Sequence, residues 1–268
     1  MTFPQNRVYS KQKIDLSIIW RGFMITDKTL LKVTGVGAES CWGGSGTWFK
    51  PYSQKRPGKW MPLIKYIEPC ERGYHVCEGE QVLQWLHDEL YEVEIRGEQI
   101  REEDKIVAQQ ARLVRRITNW NERTARLFAC DCAERVLHIF EEKYPDDKRP
   151  REAIEVARAY ANDKATEKEL IRAFDAAAAD SVLYNVRGAA YYAVVAARLL
   201  ASVYLTTEVA RVAVCAAADA VTADAGAAVA VAAADADAGV CVHVNADLAK
   251  ELKWQWNRLK QYLNGEIL

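Results

Sequence analysis

Residues 210–238 read ARVAVCAAADAVTADAGAAVAVAAADADA, a stretch in which 16 of 29 residues are alanine and none is proline. Alanine is the best helix former because its side chain loses no rotamer entropy, so the stretch predicts helix. A side chain of one methyl group lets helices approach closely but offers little chemistry. The second half of the chain is therefore expected to be a scaffold or a binding surface, and not an active site.

Outward from this stretch, residues 118–268 carry only helix signals. The start and stop signals are a cap at Thr118 or Asn119, a first-turn proline at Pro150, a capping box from Thr166 to Glu169, and a C-terminal stop at Asn264-Gly265. The pattern predicts an all-α, alanine-rich bundle or array of six or seven antiparallel helices.

Residues 1–117 have a different pattern, which predicts a small α+β domain that is basic and rich in tryptophan. The predicted elements are strands at Leu16–Trp20, Thr29–Val33, Tyr74–Cys77, Tyr91–Ile95 (ended by Arg96-Gly97) and Ile106–Ile117, a helix at Glu80–Leu90, and mostly turn or loop over Gly35–Gly58. For Ile106–Ile117 a helix is the alternative. We place the boundary between the two predicted domains near residue 118.

Bulk properties favour a cytoplasmic protein. No apolar run reaches the ~20 residues that cross a bilayer, and the N-terminus lacks the pattern of a signal peptide. Seven cysteines at irregular spacing are typical of free thiols in a reducing compartment. The net charge of -1 is unevenly distributed: residues 1–67 have 11 Lys/Arg against three acids, whereas residues 118–268 have 18 against 22. Such asymmetry indicates that the basic part of the chain binds an anionic partner.

One segment combines cations with aromatic rings and is the candidate binding site. Its residues are Trp42, Trp48, Lys50, Tyr52, Lys55, Arg56, Lys59 and Trp60. Tryptophan, tyrosine and arginine dominate protein–protein hot spots, while aromatic faces and cations also hold nucleotides or single-stranded nucleic acid. The third interpretation is that the tryptophans fill a core and the lysines are solvated.

Cys70, His75 and Cys77, with Cys41 upstream, are residue types that bind zinc, but the chain lacks the Cys-x-x-Cys spacing of a zinc knuckle or ribbon. A catalytic His75–Cys77 pair would need an activated thiolate and an orienting third group, and no nearby residue marks one. We therefore expect core packing here, with no metal, no cofactor and no catalytic residue.

Two resemblances to known families cover most of the chain. The segment CERGYHVC (residues 70–77), followed by QVLQW (residues 81–85) and YEVEIRG (residues 91–97), resembles a small uncharacterised domain of phage proteins. RLFACDCAERVL (residues 126–137), YPDDKRPREAI (residues 144–154) and the closing WQWNRL (residues 254–259) resemble the helical immunity proteins of polymorphic-toxin loci, which also occur in phages. The second resemblance implies an all-helical protein that acts by binding another protein.

Together these features predict a non-enzymatic binding protein encoded by a phage or mobile element. We expect its partner to be a bacterial toxin or defence protein. The chain would then act as an immunity protein against the toxin, or as an anti-defence inhibitor such as an anti-CRISPR protein. The alternative is a nucleotide- or nucleic-acid-binding protein, for example a sponge for a cyclic-nucleotide immune signal, which would use the basic aromatic segment.

Overall fold

A computed structural model describes residues 24–178, 211, 215–220 and 246–267. The predicted strand at Leu16–Trp20, most of the alanine-rich stretch and the helix breaks expected between residues 181 and 245 lie outside the described residues. Within the stretch, residues 215–220 are helical, and Ala216, Ala217, Ala218 and Ala220 are buried. This helical segment agrees with the close packing expected of alanine.

The first half is built around a closed barrel of four antiparallel strands. The strands are β1 (Leu30–Thr34), β2 (Tyr74–Glu78), β3 (Glu89–Arg101) and β4 (Ile106–Arg116), hydrogen-bonded in the order β1-β2-β4-β3. The long β3–β4 hairpin forms about half of the barrel wall, and β1 closes the barrel by pairing with both β2 and β3. Closure gives each strand a neighbour on both sides, but β2 pairs only with residues 106–108 of β4 and leaves the edge of the later β4 residues open. The α+β prediction is thus correct at the level of sheet followed by helices.

The helix predicted for Glu80–Leu90 is wrong. The structure has a short 3-10 helix over Gly79–Gln84, and β3 already begins at Glu89. Leu90 pairs with Val33 across β1 and β3, so its position is set by a strand partner distant in sequence and not by local periodicity. Val82, Leu83 and Leu86 are nevertheless buried, as the apolar pattern required.

The strand end predicted at Arg96-Gly97 is also wrong, because β3 continues to Arg101. Gly97 has a φ of 84° and lies where the pairing with β4 shifts its register. A β-carbon at Gly97 would stand 2.7 Å from the side-chain oxygen of Gln109. Glycine therefore allows the strand to bulge here and then resume pairing.

The second half contains four long described helices. They are α1 (Glu122–Lys143), α2 (Arg149–Ala161), α3 (Glu167–Ala178) and α4 (Ala246–Leu263). Pro150 in the first turn of α2, the Thr166–Glu169 box before α3 and the stop at Asn264-Gly265 confirm three sequence signals. The cap predicted at Thr118 or Asn119 is wrong. Asn121 caps α1 instead, because its side chain and that of Thr124 each accept the other's backbone N–H.

A single buried cluster continues from the barrel into the helices. It includes Leu31 and Leu83 from the barrel side, and Phe128, Trp256 and Leu259 from the helices. The predicted boundary near residue 118 falls between β4 and α1, yet apolar side chains from both sides of it share one core. The domain boundary near residue 118 therefore stays a prediction, and the described parts of the two halves pack against each other through this cluster.

Polar contacts at this junction are specific. The indole N–H of Trp120 donates to the His87 carbonyl over 2.7 Å, and the backbone N–H of Ile25 donates to Asn264 over 2.7 Å. Asp27 accepts hydrogen bonds from the Trp256 indole and the Lys260 ammonium. These contacts tie the start of the barrel to the final helix and fix the orientation of the two halves.

Asp131 connects three helices inside the second half. This α1 carboxylate is almost fully buried and accepts hydrogen bonds from Arg158 of α2 over 2.7 Å, and from Arg258 and Tyr262 of α4 over 2.7 and 2.6 Å. A buried carboxylate with three donors is compensated for the water that it loses. Over the described part of the chain, no helix has both the length and the hydrophobicity to cross a membrane.

Candidate functional site

The basic aromatic segment lies in the long connection between β1 and β2. We call residues 49–66 the basic loop. Backbone N–H groups of Gly58, Met61 and Ile64 donate to the carbonyls of residues 113, 111 and 109 in β4, over 2.9 to 3.0 Å. The loop therefore runs along the barrel as an irregular extra strand and presents its side chains from a rigid support.

Gly58 shows why the loop holds this path. A β-carbon at this position would stand 2.4 Å from the carbonyl oxygen of Phe49 and 2.8 Å from that of Lys50. Two stretches of the loop backbone therefore approach so closely that only glycine fits between them.

Trp60 is the anchor of the basic loop. The guanidinium groups of Arg96 and Arg112 both lie over its ring, at 4.1 and 4.7 Å from the ring centre. Both arginines project from the β3–β4 hairpin, and cations over a tryptophan face are attracted by the ring quadrupole. This packing leaves Trp60 half-buried, so its ring holds the loop in place against the β3–β4 hairpin.

The exposed face of the basic loop is apolar and positively charged. Four large apolar side chains are exposed there: Phe49 (45%), Tyr52 (55%), Leu63 (62%) and Tyr66 (68%). Lys50, Lys55, Arg56, Lys59 and Lys65 are also exposed, and no ion pair involves any of these five among the described residues. From Ser40 to Ile67 the sequence contains no Asp or Glu. The face therefore offers unpaired cations beside solvent-exposed rings.

Two of the tryptophans assigned to the candidate site lie elsewhere. Trp48 is only 5% exposed and packs edge-to-face on Tyr74, with ring centres 5.3 Å apart. Trp42 is half-buried, donates its indole N–H to the Trp85 carbonyl over 3.0 Å, and has the Arg211 guanidinium 4.7 Å above its ring. The structure thus brings Lys50, Tyr52, Lys55, Arg56, Lys59 and Trp60 together in the basic loop and separates Trp42 and Trp48 from them.

Sequence reasoning missed Leu63, Lys65 and Tyr66. The signal that could have found them is the run of 28 residues without an acid, which extends past Trp60 to Ile67. Their exposure could not be read from the sequence, because an apolar residue in a loop is as often buried as exposed.

The cysteines and the histidine line a cavity of about 600 Å³ in the side of the barrel. Lys32, Trp48, Tyr74, Trp85 and Lys105 also contribute to its wall. The turn at residues 70–73 leads into β2 and closes one side, and a β-carbon at Gly73 would lie 2.3 Å from a methyl group of Val107. The glycine of the CERGYHVC motif is therefore needed for the close approach of this turn to β4.

Two of the cavity thiols, Cys41 and Cys77, are poorly suited to nucleophilic or metal chemistry. Burial raises the pKa of Cys77 to about 12 and also raises that of Cys41, so both are protonated at neutral pH. Burial, together with the nearby Lys32 charge, lowers the pKa of His75, whose Nε2 accepts the backbone N–H of Cys70 over 3.0 Å. Within the described ranges, no three Cys, His, Asp or Glu side chains are placed to hold a metal ion.

The comparisons with known proteins concern the helical half. Residues 115–262 match the model of the Imm-5 like putative immunity protein family, over more than half of the chain. The chain belongs to this family. The matched region contains helices α1 to α3 and all but the last residue of α4, and membership indicates an immunity role exerted on a toxin partner. The match starts at residue 115, so the resemblance of residues 70–97 to a phage domain stays a prediction. No curated protein and no solved structure matched the chain.

Proposed function

We propose that this Imm-5 like protein inhibits a toxin or a bacterial defence effector by binding it directly. The observation that carries the proposal is the family match over residues 115–262. The chemistry of the cavity thiols supports it, since the Cys41 and Cys77 groups are held in their unreactive protonated form. Inhibition then depends on shape and charge complementarity with the partner.

The basic loop is the contact surface that we propose. Its exposed rings and cations are the side chains that concentrate binding energy in interfaces. The Trp60 packing and the backbone hydrogen bonds to β4 hold the loop in place before binding. The loop therefore loses less conformational entropy when a partner binds. Five unpaired cations would steer an acidic partner surface toward it. The partner is accordingly expected to present a carboxylate-rich patch.

The biological setting is a further part of this proposal. The resemblance of residues 70–97 to a phage domain favours a gene carried by a phage or another mobile element, with a defence system such as CRISPR among its targets. The described cysteines are all free thiols, which suits a reducing cytoplasm.

The experiment is affinity capture of the full chain from the host, followed by co-expression with each captured toxin or effector. An inhibitor restores growth that the toxin alone arrests. The test variant is Lys55→Glu/Arg56→Glu/Lys59→Glu, which reverses three charges of the basic loop. The matched control is Lys148→Glu/Lys164→Glu/Lys168→Glu, which makes the same charge change at exposed positions of the helical half.

We expect the loop variant to lose binding and rescue, while the control keeps both and the two have the same helical circular dichroism. If only the control variant lost binding and rescue, the contact surface would lie on the helices, and the inhibitor function would still hold. Absence of any captured protein whose toxicity is neutralised would contradict the inhibitor function itself.

A second candidate partner is nucleic acid. Arg56 lies over the Tyr52 ring at 4.5 Å, an arrangement that offers both a stacking face and a phosphate contact. Binding of nucleic acid would weaken steeply with salt, in proportion to the number of phosphates contacted. A salt titration of the wild-type chain with single-stranded DNA and RNA separates this candidate from a protein partner.

A further inference from the structure

The cavity in the barrel wall has chemistry that the proposed inhibitor function leaves unused. Its volume of about 600 Å³ is within the usual range of small-ligand sites. We propose that this cavity binds a small organic anion that carries a flat ring, with the chemistry of a nucleoside monophosphate, and that Lys32 supplies the countercharge. This inference does not depend on the identity of any protein partner.

Lys32 is the decisive group. It lies in β1 between the buried Leu31 and Val33, and its ammonium donates to the His75 carbonyl over 3.0 Å and stands 5.0 Å from the Trp48 ring centre. No carboxylate among the described residues forms an ion pair with it. An ammonium has three N–H donors, so two remain for a ligand.

Lys105, in the same wall, differs from Lys32 because its ammonium is paired with acidic side chains. Its ammonium contacts the carboxylates of Asp104 and Glu102 at 3.1 and 3.2 Å. Those hydrogen bonds outweigh burial and raise the pKa of Lys105. For Lys32 the balance is reversed: burial lowers its pKa because no described acid compensates the lost water. A bound anion would supply that compensation.

The rest of the cavity wall favours an anion as well. Arg72 adds a second cation and Glu71 is the one acid among the described lining residues, whereas the charge of Lys105 is already paired with Asp104 and Glu102. His75 contributes no charge at neutral pH because its pKa is lowered, and the protonated Cys41 and Cys77 contribute none either. An anionic occupant would therefore meet Lys32, which has no carboxylate partner among the described residues, and Arg72 in the same wall.

The aromatic residues of the wall suggest the second part of the ligand. Trp42, Trp48, Tyr74 and Trp85 all line the cavity, and flat rings bind well against such surfaces. The rim is the turn Cys41–Gly46, where Gly43 and Gly46 have φ values of 78° and 87°. A β-carbon at either glycine would meet no atom within 4 Å, so no other part of the described chain packs against the turn at these two positions.

The test is isothermal titration of the full chain with AMP, GMP, CMP and UMP, with indole-3-acetate as a carboxylate of similar shape, and with adenosine and inorganic phosphate as the separate halves of the ligand. We expect at least one ring-bearing anion to bind, at least tenfold more tightly than adenosine or phosphate. A phosphate preference over indole-3-acetate would identify the anionic group.

Lys32→Met should weaken this binding at least tenfold, because it keeps the aliphatic stem and removes the charge. Ser45→Glu, at the exposed rim, should also weaken it by like-charge repulsion and keeps the test valid if Lys32→Met does not fold. Lys168→Met, at an exposed position of the helical half, is the control and should bind like wild type. The proposal is overturned if no ring-bearing anion binds, if Lys32→Met and Ser45→Glu both bind normally, or if Lys168→Met weakens binding as much as Lys32→Met does.

Discussion

Replacing Asp131 by alanine should destabilise the helical half more than any exposed ion-pair change. The substitution removes the acceptor of Arg158, Arg258 and Tyr262 at once. Breaking a fully buried ion pair costs about 3–5 kcal/mol. The two arginine side chains are 33% and 32% exposed and can recover water, so we expect the lower end, ~3 kcal/mol. For a chain of this size that loss lowers the Tm by about 6–12 °C.

Glu134→Ala is the matched control, because Glu134 pairs with the same Arg158 over 2.7 Å but is 52% exposed. Exposed ion pairs contribute up to about 1 kcal/mol, so its Tm should fall by only a few degrees. Both variants are measured by thermal and urea unfolding, followed by circular dichroism. If Asp131→Ala were no more destabilising than Glu134→Ala, the carboxylate would not be what joins α1 to α2 and α4.

Two further predictions concern thiols and acid stability. Because burial raises the pKa of Cys77 to about 12 and also raises that of Cys41, both should resist iodoacetamide in the folded protein at pH 8, while the exposed Cys70 is alkylated first. Mass spectrometry of peptides after brief alkylation checks this order, and early labelling of Cys77 would refute it. Hydrogen bonds from Lys260 and the Trp256 indole lower the pKa of Asp27 below its ordinary 3.8. The contribution of Asp27 to folding stability is therefore complete above pH 3.8, and it is lost as the pH falls through the lower pKa of the folded state. The Tm difference between wild type and Asp27→Asn should therefore shrink below pH 3.8, and a difference that is constant with pH would contradict the pairing.

The continuity of the core has a consequence for how the halves function. Leu31 and Leu83 of the barrel pack in the same cluster as Phe128 and Trp256 of the helices. The barrel therefore cannot shift relative to α1 and α4 without disturbing this shared packing. A partner held by the basic loop would be positioned relative to the family's helical region by this shared core.

Local signals were sufficient for three of the helix ends in the described part of the helical half. Pro150, the Thr166–Glu169 box and Asn264-Gly265 mark real helix ends, since capping depends on residues a few positions apart. The first cap was misplaced by two residues because Asn119 and Asn121 carry the same side chain. Only the structure shows that Asn121 forms the reciprocal bonds with Thr124.

The sequence by itself therefore determined the order of sheet and helix, the strands at Thr29–Val33, Tyr74–Cys77 and Ile106–Ile117, and the concentration of positive charge before residue 68. These properties follow from periodicity and composition, which are local. Only the tertiary structure decided that Leu90 belongs to a strand, that Trp48 is buried while Tyr66 is exposed, and that Lys32 faces a cavity without an acidic partner in the described chain. Each of these outcomes depends on segments far apart in sequence that meet when the barrel closes, and no local pattern contains that information.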